Sequence, residues 1–415
     1  MKGRVYRRCT SCRTNVKSRK HRDGCEGTRT AWAFVVDAGR DADGKRLRES
    51  RSGFGTQREA ERAMREVLGK VDGGTHVERS RVTVADYLRD EWLPATAPPR
   101  VGHGTHAKRT GHVETYIVPR IGGVALQELN AAHVNRLYTE LLASGKIDGT
   151  PLAASTTHDV HRTLRRALTD AVRWGLAEHN ATDRADPPPV RAVEAERRAA
   201  LRVWTADELA RFLTAATSHR HHRLWEVASS TGMRRGELCG LCWSDVDLDA
   251  ATVTVRHRVV LGPDGYRHED GTKSNHSART IDLDARTVAI LRAHRVAQLE
   301  QRVAASVAWE DGDLVFTDER GRWLSPPAVT QTFRRAVRPA KADPVVPPLT
   351  LHGLRHTHAT LLLRAGVPLH VVSRRLGHAS EAFTAAVYAH VLPGQQREAA
   401  ETFSRLVFGG TEVGS

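Results

Sequence analysis

A short arginine motif in the second half of the chain could bind an anion. In TGMRRGEL (231–238), Arg234 and Arg235 precede Glu237 at what the pattern predicts to be a helix start. On its own, this motif is more typical of a solvated basic turn in which Glu237 caps the helix.

A second motif, LHGLRHTHATLLL (351–363), combines arginine with histidine. His352 and Arg355 are three residues apart and therefore share one face of a helix, while the leucines that follow lead into an apolar core. Such a pair can hold a phosphate. His356 and His358 are more typical of structural positions.

Three more residues with useful chemistry lie around the second motif. Lys273 belongs to a hairpin flanked by Ser and Asn, TKSNHSART, His378 lies in LGHAS, and Tyr388 follows ten residues later in VYAH. Taken singly, Lys273 and Tyr388 each have an ordinary explanation. Hairpin lysines are usually solvated, Lys341 is an alternative cation, and an aromatic residue near the C-terminus is usually part of the core.

Taken in order, T-G-x-R-x-G-E, the hairpin lysine, H-x-L-R-H, L-G-H and the late tyrosine resemble the catalytic series of the tyrosine recombinases, the phage integrase family. These integrases commonly carry two DNA-binding domains before the catalytic one. The resemblance therefore implies an arm-type DNA-binding domain at 1–75, a helical core-binding (SAM-like) domain at 82–186 and a catalytic domain at 200–415.

The resemblance also implies roles for individual residues. Tyr388 would attack the scissile phosphate and form a 3′-phosphotyrosyl link, which stores the bond energy so that no ATP is needed. Arg234 and Arg355 would clamp the non-bridging oxygens, because guanidinium forks match phosphate oxygens and stay charged. Lys273 would be the general acid for the leaving 5′-oxygen.

Three residues would support this chemistry. His352 would assist proton transfer at the tyrosine, His378 would hydrogen-bond a phosphate oxygen, and Glu237 would orient the cluster without acting as a base. No cofactor is expected in catalysis. His352 and His356 have the spacing of a zinc pair, but the Glu of H-E-x-x-H is missing, which argues against a metalloprotease.

The five cysteines predict no disulfide framework, since they are few and odd in number. Near the N-terminus the ligand types and the C-x-x-C start are compatible with a small zinc site, although the spacing is not a standard one; the candidate ligands are Cys9, Cys12, His21 and Cys25. The alternative is free thiols on a basic loop. Cys239 and Cys242 form a second C-x-x-C, for which core packing is the better interpretation.

The composition points to a folded protein with a polyanionic partner. A net charge of +15 and a pI near 10.1 favour nucleic acid first and an anionic membrane surface second. The 415 residues predict two to four domains, and 40% hydrophobic residues suffice for their cores. Because no apolar run approaches the ~18 residues of a spanning helix, and no signal peptide follows Met1, we expect a cytoplasmic protein, associated with the bacterial nucleoid when bound to DNA.

Local patterns divide the chain into regions of different structure. Strands are predicted at 31–39 and near Leu47–Phe54, followed by a helix at 56–71 that begins with a Thr56–Glu59 capping box. Helical periodicity continues from 83 to 180 in four or five helices.

A proline-rich linker and a mixed region follow. Pro187 to Pro189 and the residues up to Trp204 are expected to be extended and exposed, whereas 251–261 and 277–283 alternate as strands do around a GPDG turn. The predicted fold class is multidomain and mainly α with small β-sheets: a small β-rich N-terminal domain, a helical domain and a mixed, mostly helical catalytic domain.

These observations predict a site-specific recombinase that integrates or excises a phage or another mobile element. Its expected partners are double-stranded DNA attachment sites, further copies of the chain in a homotetramer, and accessory directionality and DNA-bending proteins, with no membrane. Two alternatives stay open at this point: a non-catalytic DNA-binding regulator and an enzyme like the type IB topoisomerases.

Overall fold

The structure, a computed structural model, describes residues 3–18, 21, 25, 29–40, 46–73, 77, 80–270, 278–338, 346–378, 380–388 and 395–408. The chain divides into two compact units, 1–194 and 195–415. Lys273 and Lys341 lie outside the described residues. Within the described ranges, each helix is too short or too polar to cross a membrane.

The first unit opens with a three-stranded antiparallel sheet. Its strands are β1 (Gly3–Cys9), β2 (Thr30–Arg40) and β3 (Arg46–Phe54), in the order β1-β2-β3. Helix α1 (Gln57–Asp72) begins with the expected Thr56–Glu59 capping box and buries Val67 with Phe34 and Val36 of the sheet. The two predicted strands and the helix are confirmed, whereas β1 was not predicted.

Four helices fill the described stretch 80–185. Helix α2 runs through Val84–Asp86, Tyr87–Trp92 and Leu93–Ala95, α3 through His103–His112, Val113–Ile117 and Val118–Ile121, α4 is Ala131–Ser144 and α5 is Ala154–Arg173. Short 3-10 turns lie at Leu126–Glu128 and Ala181–Arg184. In the core, the Tyr87 hydroxyl donates to the Ala167 carbonyl at 2.7 Å. The predicted helical module is confirmed.

The predicted linker is partly wrong. Pro188 is buried, and helix α6 (Val190–Ala200) follows the prolines where an extended segment was expected. The sequence from 190 to 200 consists mainly of Ala, Arg and Glu, which are strong helix formers. Pro189 stands just before the first helical residue, where a missing N–H costs little.

The second unit is mostly helical with two small sheets. Its helices are α7 (Ala206–Ala215), α8 (His222–Thr231), α9 (Arg235–Cys239), α10 (Ala285–Ala305), α11 (Pro326–Val337), α12 (Leu351–Arg364), α13 (Leu369–Leu376), α14 (Glu381–Tyr388) and α15 (Gln395–Phe408). The strands are β4 (Val246–Asp247), β5 (Thr252–Val255), β6 (His257–Gly262), β7 (Gly265–Asp270) and β8 (Arg279–Asp282). They pair as β4-β5-β8 and β6-β7, all antiparallel, with the GPDG turn closing β6-β7.

An aromatic core supports helix α12, which carries the second arginine motif. Trp204, Phe212, Trp225 and Phe333 pack together with ring centroids 5.0 to 6.2 Å apart. The backbone N–H of Trp204 donates to the Thr357 hydroxyl at 3.1 Å, which ties this core to α12. The predicted fold class is confirmed.

Candidate functional site

A buried carboxylate joins two arginines at the start of α9. Glu237, whose side chain is 6% exposed, accepts hydrogen bonds from the backbone and guanidinium of Arg234, both at 2.8 Å. The same carboxylate pairs with Arg279 of β8 at 2.9 Å. These hydrogen bonds and charges keep the pKa of Glu237 below its ordinary value against the opposing effect of burial. Glu237 is thus an anion that contacts two guanidiniums, and the orienting role expected of it stays a prediction.

Two glycines with left-handed backbones present carbonyls to this cluster. Gly232 (φ +64°) ends α8, and its carbonyl accepts from Arg355 at 2.7 Å; Gly377 (φ +65°) ends α13, and its carbonyl accepts from Arg234 at 2.6 Å. A Cβ on Gly232 would lie 2.8 Å from the His358 ring, and one on Gly377 would lie 2.9 Å from Arg279. Glycine is therefore required at both positions.

Arg355 is almost completely buried, with 3% of its surface exposed. Its terminal nitrogens donate to the carbonyls of Gly232 and Leu376, both at 2.7 Å. Burial and the neighbouring Arg234 lower the pKa of Arg355 to about 9, so it is still charged at neutral pH. Arg355 thus adds a third guanidinium beside the ion pairs that Glu237 forms with Arg234 and Arg279, and the described residues of this cluster carry an excess of positive charge.

The tyrosine lies beside these cations. Tyr388, the last residue of α14, is 1% exposed and packs with Ala359, Leu363 and Leu376. Its hydroxyl is 2.7 Å from Nδ1 of His356. Burial raises the pKa of Tyr388 to about 12, while Arg355 lowers it.

His356, not His352, is therefore the histidine that contacts the tyrosine hydroxyl. His352 is exposed near the start of α12, and its ring packs edge-on against His356 with centroids 4.7 Å apart. Both histidines line a cleft of about 710 Å³ whose walls also contain Arg202 and Arg334. The role expected of His352 stays a prediction.

His378 is held by a chain of hydroxyls. Its Nδ1 is 2.7 Å from the Thr384 hydroxyl, which in turn donates to Ser373 at 3.0 Å. Desolvation and then the positive charges of Arg355 and Arg234 lower the pKa of His378 to about 3. The imidazole is therefore neutral at physiological pH.

His358 has the structural position that the sequence favoured. Its Nδ1 is 2.8 Å from the Ser229 carbonyl, and its Nε2 accepts from Arg375 at 3.1 Å. Burial and Arg375 lower its pKa to about 4. A neutral His358 thus links α8, α12 and α13.

The structure brings together Arg234, Glu237, Arg355, His378 and Tyr388 around one centre, with His352 at its edge. Lys273 falls outside the described residues. The sequence analysis missed Arg279, His356 and Thr384. For Arg279 a signal existed, because the alternation of β8 places it on the same inward face as Ile281, where a charged residue is rare without a function or a partner.

Two groups of described residues contain metal-ligand types. The donor atoms of Cys9, Cys12, His21 and Cys25 all lie within 4.8 Å of one another, and hydrogen bonds from Thr14 lower the pKa of Cys12 to about 6. The second group is Cys242, Asp245 and His257, in which Asp245 already pairs with His257 at 2.6 Å. Cys239 and Cys242 are both buried, as core packing predicts.

Removing the charge of Glu237 is expected to destabilise the second unit. Glu237→Gln should lower the free energy of unfolding by about 3–5 kcal/mol, the usual effect of breaking a buried ion pair and leaving its cations uncompensated. Denaturant titration of the full chain measures this change.

The matched control is Glu226→Gln. Glu226 pairs at 2.9 Å with Arg286, whose side chain is 76% exposed, so its loss should change stability by less than about 1 kcal/mol. Equal losses in the two variants would contradict the assigned importance of Glu237.

Acid should destabilise the chain before its carboxylates titrate. The pKa is lowered to about 4 in His356 and His358, and to about 3 in His378, mainly by burial. The unfolded chain takes up protons below about pH 6.5, whereas these native histidines do not, so the free energy of unfolding should fall as the pH drops from about 6.5 towards 4. Unfolding curves between pH 7.5 and 5 test this, and constant stability over that range would refute it.

Comparison with known proteins identifies the family of this chain. Residues 202–395 match the phage integrase family, and residues 21–71 match an arm DNA-binding domain. The chain is 30% identical over 362 residues to a XerC-like tyrosine recombinase of Caldanaerobacter subterraneus subsp. tengcongensis, covering 83% of this chain and 88% of the relative. It is also 30% identical over 376 residues to an integrase of Streptomyces ambofaciens, covering 87% and 90%.

Solved structures share the fold. The Tn1549 transposon integrase in complex with a circular intermediate DNA superposes with a TM-score of 0.62 at 19% identity, over 78% of this chain and 99% of that one. A lambda integrase tetramer bound to a Holliday junction superposes with a TM-score of 0.51 at 18% identity, over 85% and 91%. The family match and the two relatives of nearly equal length show that this chain belongs to the phage integrase family of tyrosine recombinases.

Proposed function

We propose that this chain cleaves and rejoins DNA at specific sites through a 3′-phosphotyrosyl intermediate, and so integrates or excises a phage or another mobile element. Family membership supports site-specific recombinase activity. One observation of the structure carries the mechanism: Arg355, whose charge acts on Tyr388, lies beside the ion pairs that Glu237 forms with Arg234 and Arg279. An excess of positive charge beside a nucleophile suits a phosphodiester.

Arg234 and Arg355 would grip the scissile phosphate. Their terminal nitrogens already donate to Glu237 and to the carbonyls of Gly232, Leu376 and Gly377, which fixes both guanidinium planes. Each terminal nitrogen carries a second N–H for a ligand. Donors held in place before the substrate arrives stabilise the charge that develops in the transition state.

Tyr388 would supply the nucleophile. The phenolic oxygen bonds to phosphorus while the bond from phosphorus to the 5′-oxygen breaks, and the second step reverses this with a new 5′-hydroxyl. His356, whose Nδ1 contacts the phenolic oxygen in the arrangement described, would accept the phenolic proton. Lys273 would protonate the leaving 5′-oxygen. Because Tyr388 is 1% exposed, attack on DNA requires displacement of α14 from the arrangement described.

His378 would contact a phosphate oxygen from Nε2. Since the Thr384 hydroxyl donates to Ser373, Nδ1–H of His378 donates to Thr384, and Nε2 needs a second proton before it can donate. A bound phosphate supplies the negative charge that raises the pKa of His378 and favours this proton. His352, at the mouth of the cleft, would relay the proton from His356 to solvent.

Double-stranded DNA is the proposed partner, and a homotetramer is the proposed assembly. The net charge of +15 and the arginine-lined cleft beside His352 and His356 favour a polyanion. The related folds of the Tn1549 integrase with DNA and the lambda integrase tetramer on a Holliday junction support the same arrangement here. Residues 1–75 would bind arm-type sites, 82–186 core sites, and accessory directionality and bending proteins would set direction.

The central test replaces one hydroxyl. Tyr388→Phe keeps the ring in its apolar cluster, so DNA binding should persist, whereas the covalent protein–DNA adduct on a nicked core-site substrate should disappear. Electrophoresis under denaturing conditions measures the adduct. A covalent adduct formed by folded Tyr388→Phe protein would show that another residue is the nucleophile.

Tyr138 provides a matched control. It is also buried, and its hydroxyl lies 2.6 Å from Nδ1 of His161, so Tyr138→Phe removes the same kind of Tyr–His hydrogen bond in the helical domain. Adduct formation should be preserved. If both variants lose it, the loss reflects structure and not chemistry.

The same assay separates the alternatives. If the chain is a non-catalytic regulator, the unmodified protein should bind DNA without forming a covalent adduct. An enzyme like the type IB topoisomerases would relax supercoiled DNA of any sequence, whereas a site-specific recombinase requires its core site. Adduct formation in EDTA without ATP tests the proposed independence from metal and nucleotide.

A further inference from the structure

We infer that Cys9, Cys12, His21 and Cys25 bind one structural Zn²⁺ ion at the end of the N-terminal sheet. Cys9 is the last residue of β1 and fully buried, Cys12 lies in the turn after it, and His21 and Cys25 belong to the connection towards β2. The donor atoms of all four lie within 4.8 Å of one another. Residues separated by up to sixteen positions thus converge on one point.

Two of the distances between donor atoms fit the edges of a tetrahedral zinc site. With Zn–S bonds of about 2.3 Å and Zn–N bonds of about 2.0 Å, a tetrahedron has S–S edges of about 3.8 Å and S–N edges of about 3.5 Å. The Sγ atoms of Cys9 and Cys25 are 3.7 Å apart, and Sγ of Cys12 is 3.2 Å from Nδ1 of His21. Three sulfurs and one imidazole nitrogen form a common donor set for structural zinc.

Backbone hydrogen bonds hold the ligand-bearing segments together. The N–H of Cys9 donates to the Thr14 carbonyl at 2.9 Å, and that of Cys25 to the His21 carbonyl at 3.2 Å. Thr10 donates to the carbonyl of Arg29 at 3.0 Å, which joins the turn to the chain just before β2. The site is therefore positioned by the fold around it.

The N-terminal domain has a physical need for such a crosslink. Its described apolar cluster is small, with Phe34, Val36 and Val67 fully buried and a few side chains packed against them. Domains of fewer than about 70–80 residues commonly require a metal or disulfides in addition to their core. Zinc binding contributes directly to folding free energy in such domains.

The metal site would also carry a charge opposite to that of the sequence around it. Ten of the first thirty residues are Lys or Arg, and the connection from Thr10 to Arg29 carries many of them. A Zn²⁺ ion with three thiolates has a net charge of −1, which offsets part of their mutual repulsion. Cys9 and Cys12 precede the segment that matches the arm DNA-binding domain, so the site adds to what that match describes.

Metal analysis of the full-length chain tests this inference. The protein purified under reducing conditions should contain about one zinc ion per chain, and Cys12→Ser should lose most of it. Cys12 is half-buried and outside the apolar cluster, so the variant can fold. The control variant is Cys239→Ser, which changes a cysteine in the core of the second unit and should leave the zinc content of the protein unchanged.

Cobalt substitution gives a second readout. Co²⁺ in the unmodified chain should show thiolate-to-metal charge transfer and tetrahedral d–d bands, and Cys25→Ser should weaken both. Zinc absent from the unmodified chain, equal zinc in Cys12→Ser, or a Cys9–Cys25 disulfide in its place would overturn the inference. None of these outcomes affects the Tyr388 adduct, so the recombinase proposal is tested separately.

Discussion

The second unit depends on one ion-pair network, in which the buried carboxylate of Glu237 holds Arg234 and Arg279. Removing these charges from water is costly, and the geometry compensates by saturating the carboxylate with N–H donors from a helix start and a strand. The buried charge of Arg355 is stabilised instead by hydrogen bonds to backbone carbonyls. The hydrogen bonds of these three arginines connect five elements of the second unit: helices α8, α9, α12 and α13 and strand β8.

The negative charge of Glu237 does not balance all the positive charge around it, and this excess suits the proposed binding of a DNA phosphate. Glu237 pairs with Arg234 and Arg279, and the neighbouring Arg355 adds a further positive charge, so an additional anion would balance the described cluster. A phosphodiester would complete the network without rearranging it, because the arginines are already oriented by Glu237 and the two glycine carbonyls. In the proposed mechanism, stability and catalysis therefore rest on the same contacts.

Much of this arrangement follows from local sequence patterns. The capping box of Thr56 with Glu59 and the alternation in 251–283 are local patterns that spacing and periodicity reveal, whereas the arginine and histidine motifs were found through their resemblance to a known catalytic series. The contact between His356 and Tyr388 spans 32 positions and depends on the packing of α14 against α12. Spacing could not distinguish His356 from His352 as the partner of the tyrosine.

Other features were missed for related reasons. Strand β1 (Gly3–Cys9) is rich in arginine and is stabilised by pairing with β2, which is a nonlocal interaction. Helix α6 was hidden by the three prolines before it, although its own composition favours a helix. A local sequence pattern therefore fails to predict secondary structure where pairing with a distant strand, or a helix-breaking proline nearby, has to be taken into account.

The most direct test of the account is to locate the covalent bond to DNA. The adduct trapped on a nicked core-site substrate can be digested with nuclease and trypsin, and the phosphorylated peptide sequenced by mass spectrometry. Cleavage after Arg375 and Arg397 yields a peptide with Tyr388 as its single tyrosine. The account predicts a nucleotide linked through its 3′-phosphate to Tyr388. Linkage to any other residue, or through a 5′-phosphate, would contradict it.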